Sequence, residues 1–525
     1  MAYLLAMLLV IPALGAVACA LVKPVRLAKA LALVASLLCA GITLGLLLGF
    51  DWKDGGVQFG VTLGQIYAIG FTVKLGVDAI SLWLVALTVL LQVLAIASSF
   101  GSICDRENEY YGWMMVLLMA MVGVFIARDA LLFYIFFELT LVPMFFIIGI
   151  WGGEQRRPAA MKFFLFTFCG SVFTLAAIIY LSAKANNDFD ITQIVAAAQE
   201  RLNATELRWV VLGLVAGFAV KVPLFPLHTW LPLAHTEAPT PGSVVLAGVL
   251  LKLGTYGLLR FVLPIGFINA GTSHVIWGGL IHFVGVLCLA GIVYGALAAW
   301  VQRDIKKLVA YSSVSHLGLC VLGLAALNFE GVQGSILYMI SHGLSTGAMF
   351  LVVGMIYERY HTRDIDELSG LARKMPVLGF FFVFFTLSGI ALPGLCGFPA
   401  EFLTILGALK SEHLGIGYGA IAALGIILGA VYMLHLAARV IFGPLKTPDL
   451  YAQRRHESNP RADLGTREVA ILLPLAIAVV VIGVFPGSLL NTFHEPVKQL
   501  IGEEHRPTDL PVLSRTAEPS QERAA

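Results

Sequence analysis

Residues 218–253 read FAVKVPLFPLHTWLPLAHTEAPTPGSVVLAGVLLKL and place two lysines, Lys221 and Lys252, inside apolar sequence. A lysine at mid-membrane depth costs roughly 2.5 kcal/mol or more unless a partner or a water-filled cavity receives it. Pro223 and Pro226 follow Lys221. Proline removes a backbone donor and clashes with the preceding turn, so the helix carrying Lys221 is expected to break at the depth of its charge. Interrupted helices with embedded charge are where transporters keep their ion sites.

Working outward, the 525-residue chain is 59% hydrophobic and only 13% charged, about half the charge density of a soluble domain. The expected fold class is therefore an all-α polytopic membrane protein. Apolar runs of about 20 residues predict about fourteen transmembrane helices, two of them broken: 207–222 continuing as 227–238, and 376–392 continuing as 399–410. The opening MAYLLAMLLVIPALGAVACALV carries no basic leader and reads as the first helix. The seven cysteines are scattered without ligand spacing such as C-x-x-C, so neither an iron–sulfur cluster nor a disulfide is predicted. No phosphate loop or glycine-rich dinucleotide turn is present either. Energy input must then come from elsewhere.

Lysine and arginine collect in the odd-numbered loops, which predicts those loops on the cytoplasmic side and both termini on the outer side of a bacterial plasma membrane. The expected organisation is helices 1–3 over 1–111, a five-helix block over 112–264, a second over 265–443, a cytoplasmic loop and last helix over 444–492, and a disordered tail over 493–525. Each block has its broken helix in fourth place. An odd number of helices per block inverts the second relative to the first, the inverted-repeat plan of secondary transporters.

Glu138, in DALLFYIFFELTLVPMFFIIGIW, sits nine residues beyond Asp129, roughly 14 Å along a helix and close to mid-depth. It is a candidate partner for a lysine at similar depth. His228 and His235 flank Trp230 after the first break, and His316 (YSSVSHLG) and His342 (MISHGLSTGAMF) have hydroxyl neighbours. Histidine titrates near neutrality and suits proton relay. His282 reads as a packing residue. The second broken helix, LSGIALPGLCGFPAEFLTILGALK, resumes with Glu401. Two inverted half-channels meeting at a central charge are expected, gated by a Glu138–Lys221 pair.

The segments KVPLFPLHTWLPLAHTEAPTPGSVVLAGVLLKLGTYGLLRF, YSSVSHLG, SHGLSTGAMF and GFPAEFLTILGA resemble the antiporter-like proton-pumping subunits of respiratory complex I, NADH:quinone oxidoreductase, over roughly residues 70–445. The resemblance implies that Glu138 pairs with Lys221, that Lys252 is the central lysine, and that His228, His316 and His342 link the path. Glu401 matches the terminal group, which is glutamate in the M type and lysine in the L and N types. Leu233 departs from the acidic residue many relatives carry there. By implication no cofactor or metal is held on this chain: NADH, FMN, iron–sulfur clusters and quinone belong to other subunits. Its partners would be the L- and N-type subunits, small K- and J-type subunits, the lipid bilayer and protons, with no nucleic acid. The embedded charges alone also suit an Mrp-type sodium/proton antiporter subunit or a membrane-bound hydrogenase subunit. A non-transporting scaffold would need none of them.

Overall fold

In the absence of water a backbone can satisfy its own hydrogen bonds only as a helix or a closed barrel, and the apolar runs of this chain fold as helices. The computed structural model describes residues 2–267, 274–448 and 463–501. The helices are α1 (Ala2–Leu21), α2 (Val25–Leu48), α3 (Ala79–Ser102), α4 (Glu107–Ile126), α5 (Ala130–Trp151), α6 (Arg156–Lys184), α7 (Ile191–Arg201), α8 (Ala204–Lys221), α9 (Trp230–Glu237) and α10 (Thr240–Gly266). There follow α11 (His274–Trp300), α12 (Ile305–Ala325), α13 (Phe329–Tyr360), α14 (Pro376–Gly389), α15 (Gly397–Lys410), α16 (Ile416–Val440), α17 (Thr466–Val484) and, after short turns, α18 (His494–Ile501). Among the described residues, twelve helices are long and apolar enough to cross a membrane. The broken pairs α8/α9 and α14/α15 supply two more, which gives the fourteen expected.

Four features depart from the expectation. The loop before α3 folds as an antiparallel hairpin, β1 (Gln58–Ile66) and β2 (Phe71–Val77). Its sequence alternates small, polar and β-branched residues, which a hydropathy reading passes over. The last span ends at Val484, not 491, because Pro486 stops the helix. The tail opens with α18, whose Val497 is buried and whose His494 ring packs on Phe329; the rest of the tail and 449–462 of the final loop lie outside the described residues. His282 is exposed, with Nδ1 3.2 Å from the Tyr418 hydroxyl, and does not pack in the core. Both breaks fall where proline and glycine predict them, over 222–229 and 390–396. The polar segment after α6 contains α7, as read.

The centre of the chain is its most buried part: α10 and α13 are enclosed along their most apolar windows, while α1, α2 and α17 are buried on about a third of theirs or less. Charged contacts pin the helix ends. Asp78 caps α3 through a reciprocal box with Ser81 and also binds Arg260 at the end of α10. Arg359 on α13 donates to both Glu468 oxygens, 2.8 and 2.7 Å, which holds α17. Both enclosed helices contribute to the site, α10 with Lys252 and α13 with Tyr338 and His342.

Candidate functional site

Lys252 lies in α10, where the backbone changes to π-helix over Leu246–Leu250 and again over Leu258–Phe267. A π turn shifts each bond to the fifth residue on and widens the helix, a distortion frequent at functional sites. Lys252 is completely buried, and its ammonium folds back onto the carbonyl of Ala247. Its second contact is His342 on α13, with Nζ 2.7 Å from Nδ1. Gly343 permits that approach, since a Cβ there would stand 2.8 Å from the Gly248 carbonyl oxygen. Lysine and histidine share one proton across this contact: an ammonium donates to the imidazole lone pair, or an imidazole N–H donates to the amine.

The line continues through the second block. The His342 and His316 rings are 5.7 Å apart between centroids. His316 Nδ1 lies 2.6 Å from the Tyr338 hydroxyl and 3.4 Å from Glu401 Oε1, and Tyr338 lies 2.6 Å from the same carboxylate oxygen. Tyr432 approaches the other side of the ring, 3.4 Å from Nε2. A phenol has one proton. Tyr338 donates it to Glu401 while accepting from His316, or donates to His316 while accepting from a protonated Glu401. Exchange between these two arrangements is a proton transfer. A cavity of about 10 Å³ touches His316 and Glu401, close to the least volume that holds one water.

The first break carries the other sequence candidates. Lys221 is the last residue of α8, 2% exposed, and donates to Thr140 Oγ1 at 3.1 Å with its ammonium 4.5 Å from the centre of the Phe137 ring. Glu138 is on the adjacent turn of α5. Pro143 deprives the Leu139 carbonyl of its regular donor and interrupts that helix at Thr140. The Glu138 carboxyl lies against Ser171, and its Oε1 has no hydrogen-bond partner among the described residues. Lys221 is the charge that acts on it, yet the two are not in ion-pair contact.

Gly254 brings α10 against this break, since a Cβ there would lie 2.7 Å from Val222 Cγ2 and 3.1 Å from Lys221 Cβ. His228 is not on the line. It sits in an aromatic pocket of Phe225, Tyr294 and Tyr311, with Nδ1 unpartnered.

The structure thus joins Lys252, His342, His316 and Glu401, leaves Lys221 on Thr140 and Glu138 against Ser171 with no direct bond between the two, and sets His228 apart. Sequence reasoning missed Tyr338 and Tyr432. The only signal for Tyr338 was helical spacing, four residues before His342 on one face.

Residues 127–426 match the family of NADH:quinone oxidoreductase and Mrp antiporter transmembrane proteins. The chain is 42% identical to NADH-quinone oxidoreductase subunit M of Rhodobacter capsulatus over 93% of each chain. It is 38% identical to NADH-ubiquinone oxidoreductase chain 4 of Marchantia polymorpha over 94% of this chain and 96% of the relative. A chain of respiratory complex I from Thermus thermophilus superposes with a TM-score of 0.82 at 29% identity, covering 95% of this chain and 99% of that one. A chain of the Mrp complex from Dietzia superposes with a TM-score of 0.82 at 20% identity, over 96% and 98% of the two chains, a likeness of fold alone. On these likenesses the chain belongs to the NADH:quinone oxidoreductase/Mrp antiporter transmembrane family, and within it to the M-type subunits of complex I.

Proposed function

We propose that this membrane-arm subunit carries protons along the line Lys252, His342, His316, Tyr338, Glu401, driven by NADH oxidation and quinone reduction in other subunits. The observation that carries the reading is the closeness of these five side chains. Lys252 touches His342 at 2.7 Å, and Tyr338 touches both His316 and Glu401 at 2.6 Å. Each member can hold and release a proton.

Lys221 and Glu138 form the gate in this reading. Thr140 holds the lysine while Glu138 keeps one oxygen free among the described residues. A carboxylate that swings toward the lysine stabilises its charged form, and one that swings away favours release of its proton toward Lys252. His228, beyond the break, would serve only as a side branch. The two five-helix blocks act as inverted half-channels meeting at Lys252, with Glu401 facing the outer outlet. The redox groups (NADH, FMN, iron–sulfur clusters and quinone) sit on partner subunits. The L- and N-type antiporter-like subunits and the small K- and J-type subunits complete the arm in a bacterial plasma membrane, with both termini of this chain on the outer side.

The test is proton uptake by inverted membrane vesicles containing the assembled complex with Lys252→Met. This isosteric change removes the charge and keeps the volume. The account expects NADH-driven pumping and quinone reduction to fall together. Full pumping by an assembled Lys252→Met complex would remove the central lysine from the path.

A further inference from the structure

On the side of the odd-numbered loops a cavity of about 850 Å³ opens between Gly153–Gln155, Glu237, Arg303–Lys307 and Arg363. Lys306 at its wall is 5% exposed, and its ammonium rests on the Ala238 carbonyl. Asp304, which pairs with Arg363 at 3.3 Å, and Glu237 are the acidic groups that act on Lys306. Two residues before Glu237 on α9 is His235. It is fully buried and stacked flat on Phe350, at 4.8 Å and 5°, and neither ring nitrogen has a hydrogen-bond partner among the described residues. The charges that act on it are Lys306 on the cavity side and Lys252 on the other, with His342 beside Lys252.

Buried polar atoms almost always have a partner. An imidazole with two empty nitrogens therefore calls for a water on each, and one ring cannot be explained by packing alone, since phenylalanine would stack equally well. We propose that Lys306 and His235, each bridged by water, form the inlet that carries protons from this vestibule to Lys252. The inlet rests on the proton-carrying role proposed above for Lys252, and it enters the line at a point that bypasses Lys221. Lys306 passes its proton to the water before His235. The ring accepts that proton on one nitrogen and releases another from the opposite nitrogen toward Lys252, one proton in and one out. Lys306 is then reprotonated from the vestibule.

The test compares wild type, His235→Phe, Lys306→Met and, as reference, Lys252→Met in inverted vesicles, with assembly checked by native gel. Turnover and pumping are read at about pH 6 and about pH 8.5, on either side of the ordinary histidine range. If the inlet limits supply, His235→Phe and Lys306→Met lose about tenfold or more at the alkaline pH, within the range of a lost proton-transfer group, and far less at the acid pH, where proton concentration compensates. A packing defect loses equally at both. Should His235→Phe fail to assemble, His235→Gln replaces it. Assembled variants with unchanged rates, or with losses equal at both pH values, overturn the inlet while a dead Lys252→Met leaves the line standing. Full pumping by Lys252→Met instead overturns the line itself.

Discussion

The hydroxyl of Tyr338 lies 2.6 Å from Glu401 Oε1, and that contact is what makes the second half of the line continuous. His316 also reaches Glu401 directly, but at 3.4 Å, at the outer limit for a nitrogen–oxygen hydrogen bond. The phenol supplies the short step on both sides.

Tyr338→Phe therefore keeps the buried ring and removes only the proton carrier. Hydrogen bonds to charged groups contribute about 1.5–3 kcal/mol, so proton-coupled turnover of the assembled complex is expected to fall roughly tenfold to a hundredfold. Turnover and pumping assays on vesicles check it, with unchanged rates counting against a role for the phenol.

His342→Ala leaves the Lys252 ammonium with the Ala247 carbonyl as its hydrogen-bonding partner, buried among apolar side chains. Breaking one partner of a buried charged contact costs about 3–5 kcal/mol. The expected outcome is a lower level of assembled complex, read by quantitative native gels, and partial recovery of that level when Lys252→Met is added, because the stranded charge is then gone. A double variant no better than His342→Ala would contradict this.

Gly254→Val inserts a branched side chain where Val222 Cγ2 would already lie 2.7 Å from a Cβ. Overpacking of this kind costs about 1–3 kcal/mol, and here it pushes α10 away from the break that follows Lys221. Lower thermal stability of the extracted complex, together with a drop in pumping, is expected from a thermal-shift measurement and a vesicle assay.

Outside the membrane, Asp190 caps α7 and pairs with Lys74 on β2. Burial alone would raise its carboxyl, but the bonds from Lys74 and Thr192 together outweigh this and hold it below the usual carboxylate range. A depressed carboxylate stabilises the fold fully above its unfolded value, about 3.9, and that stabilisation is lost as pH falls through the lower folded value. Protection against hydrogen exchange in 58–77 and 191–201, taken relative to the unfolded chain at each pH, should therefore stay high from neutrality down to about pH 4 and fall below it. Lys74→Met should lower that protection at neutrality and flatten its fall with acid.

Much of this was legible in the sequence, for identifiable reasons. Lys221, Lys252 and Glu401 stood out because charge in an apolar run is costly and therefore rare, and the two breaks because proline and glycine act locally. Tyr338 and Tyr432 did not, because a tyrosine in an apolar helix is ordinary until its hydroxyl's neighbours are known. The Glu138–Lys221 pair was inferred from depth and from the family resemblance. Neither gives the rotational setting of two helices, and in the structure Lys221 donates to Thr140 while the Glu138 carboxyl lies against Ser171. The hairpin β1–β2 was hidden because short alternating strands carry little hydropathy.

The central claim is that Lys252 and Glu401 belong to one proton line. NADH-driven proton uptake by inverted vesicles carrying the assembled Glu401→Gln complex tests it most directly, since the amide keeps shape and hydrogen bonding but cannot exchange a proton. The account predicts that pumping and quinone reduction fall together, to a level close to that of Lys252→Met. Full pumping at the wild-type ratio to electron transfer, with the complex intact, would contradict it.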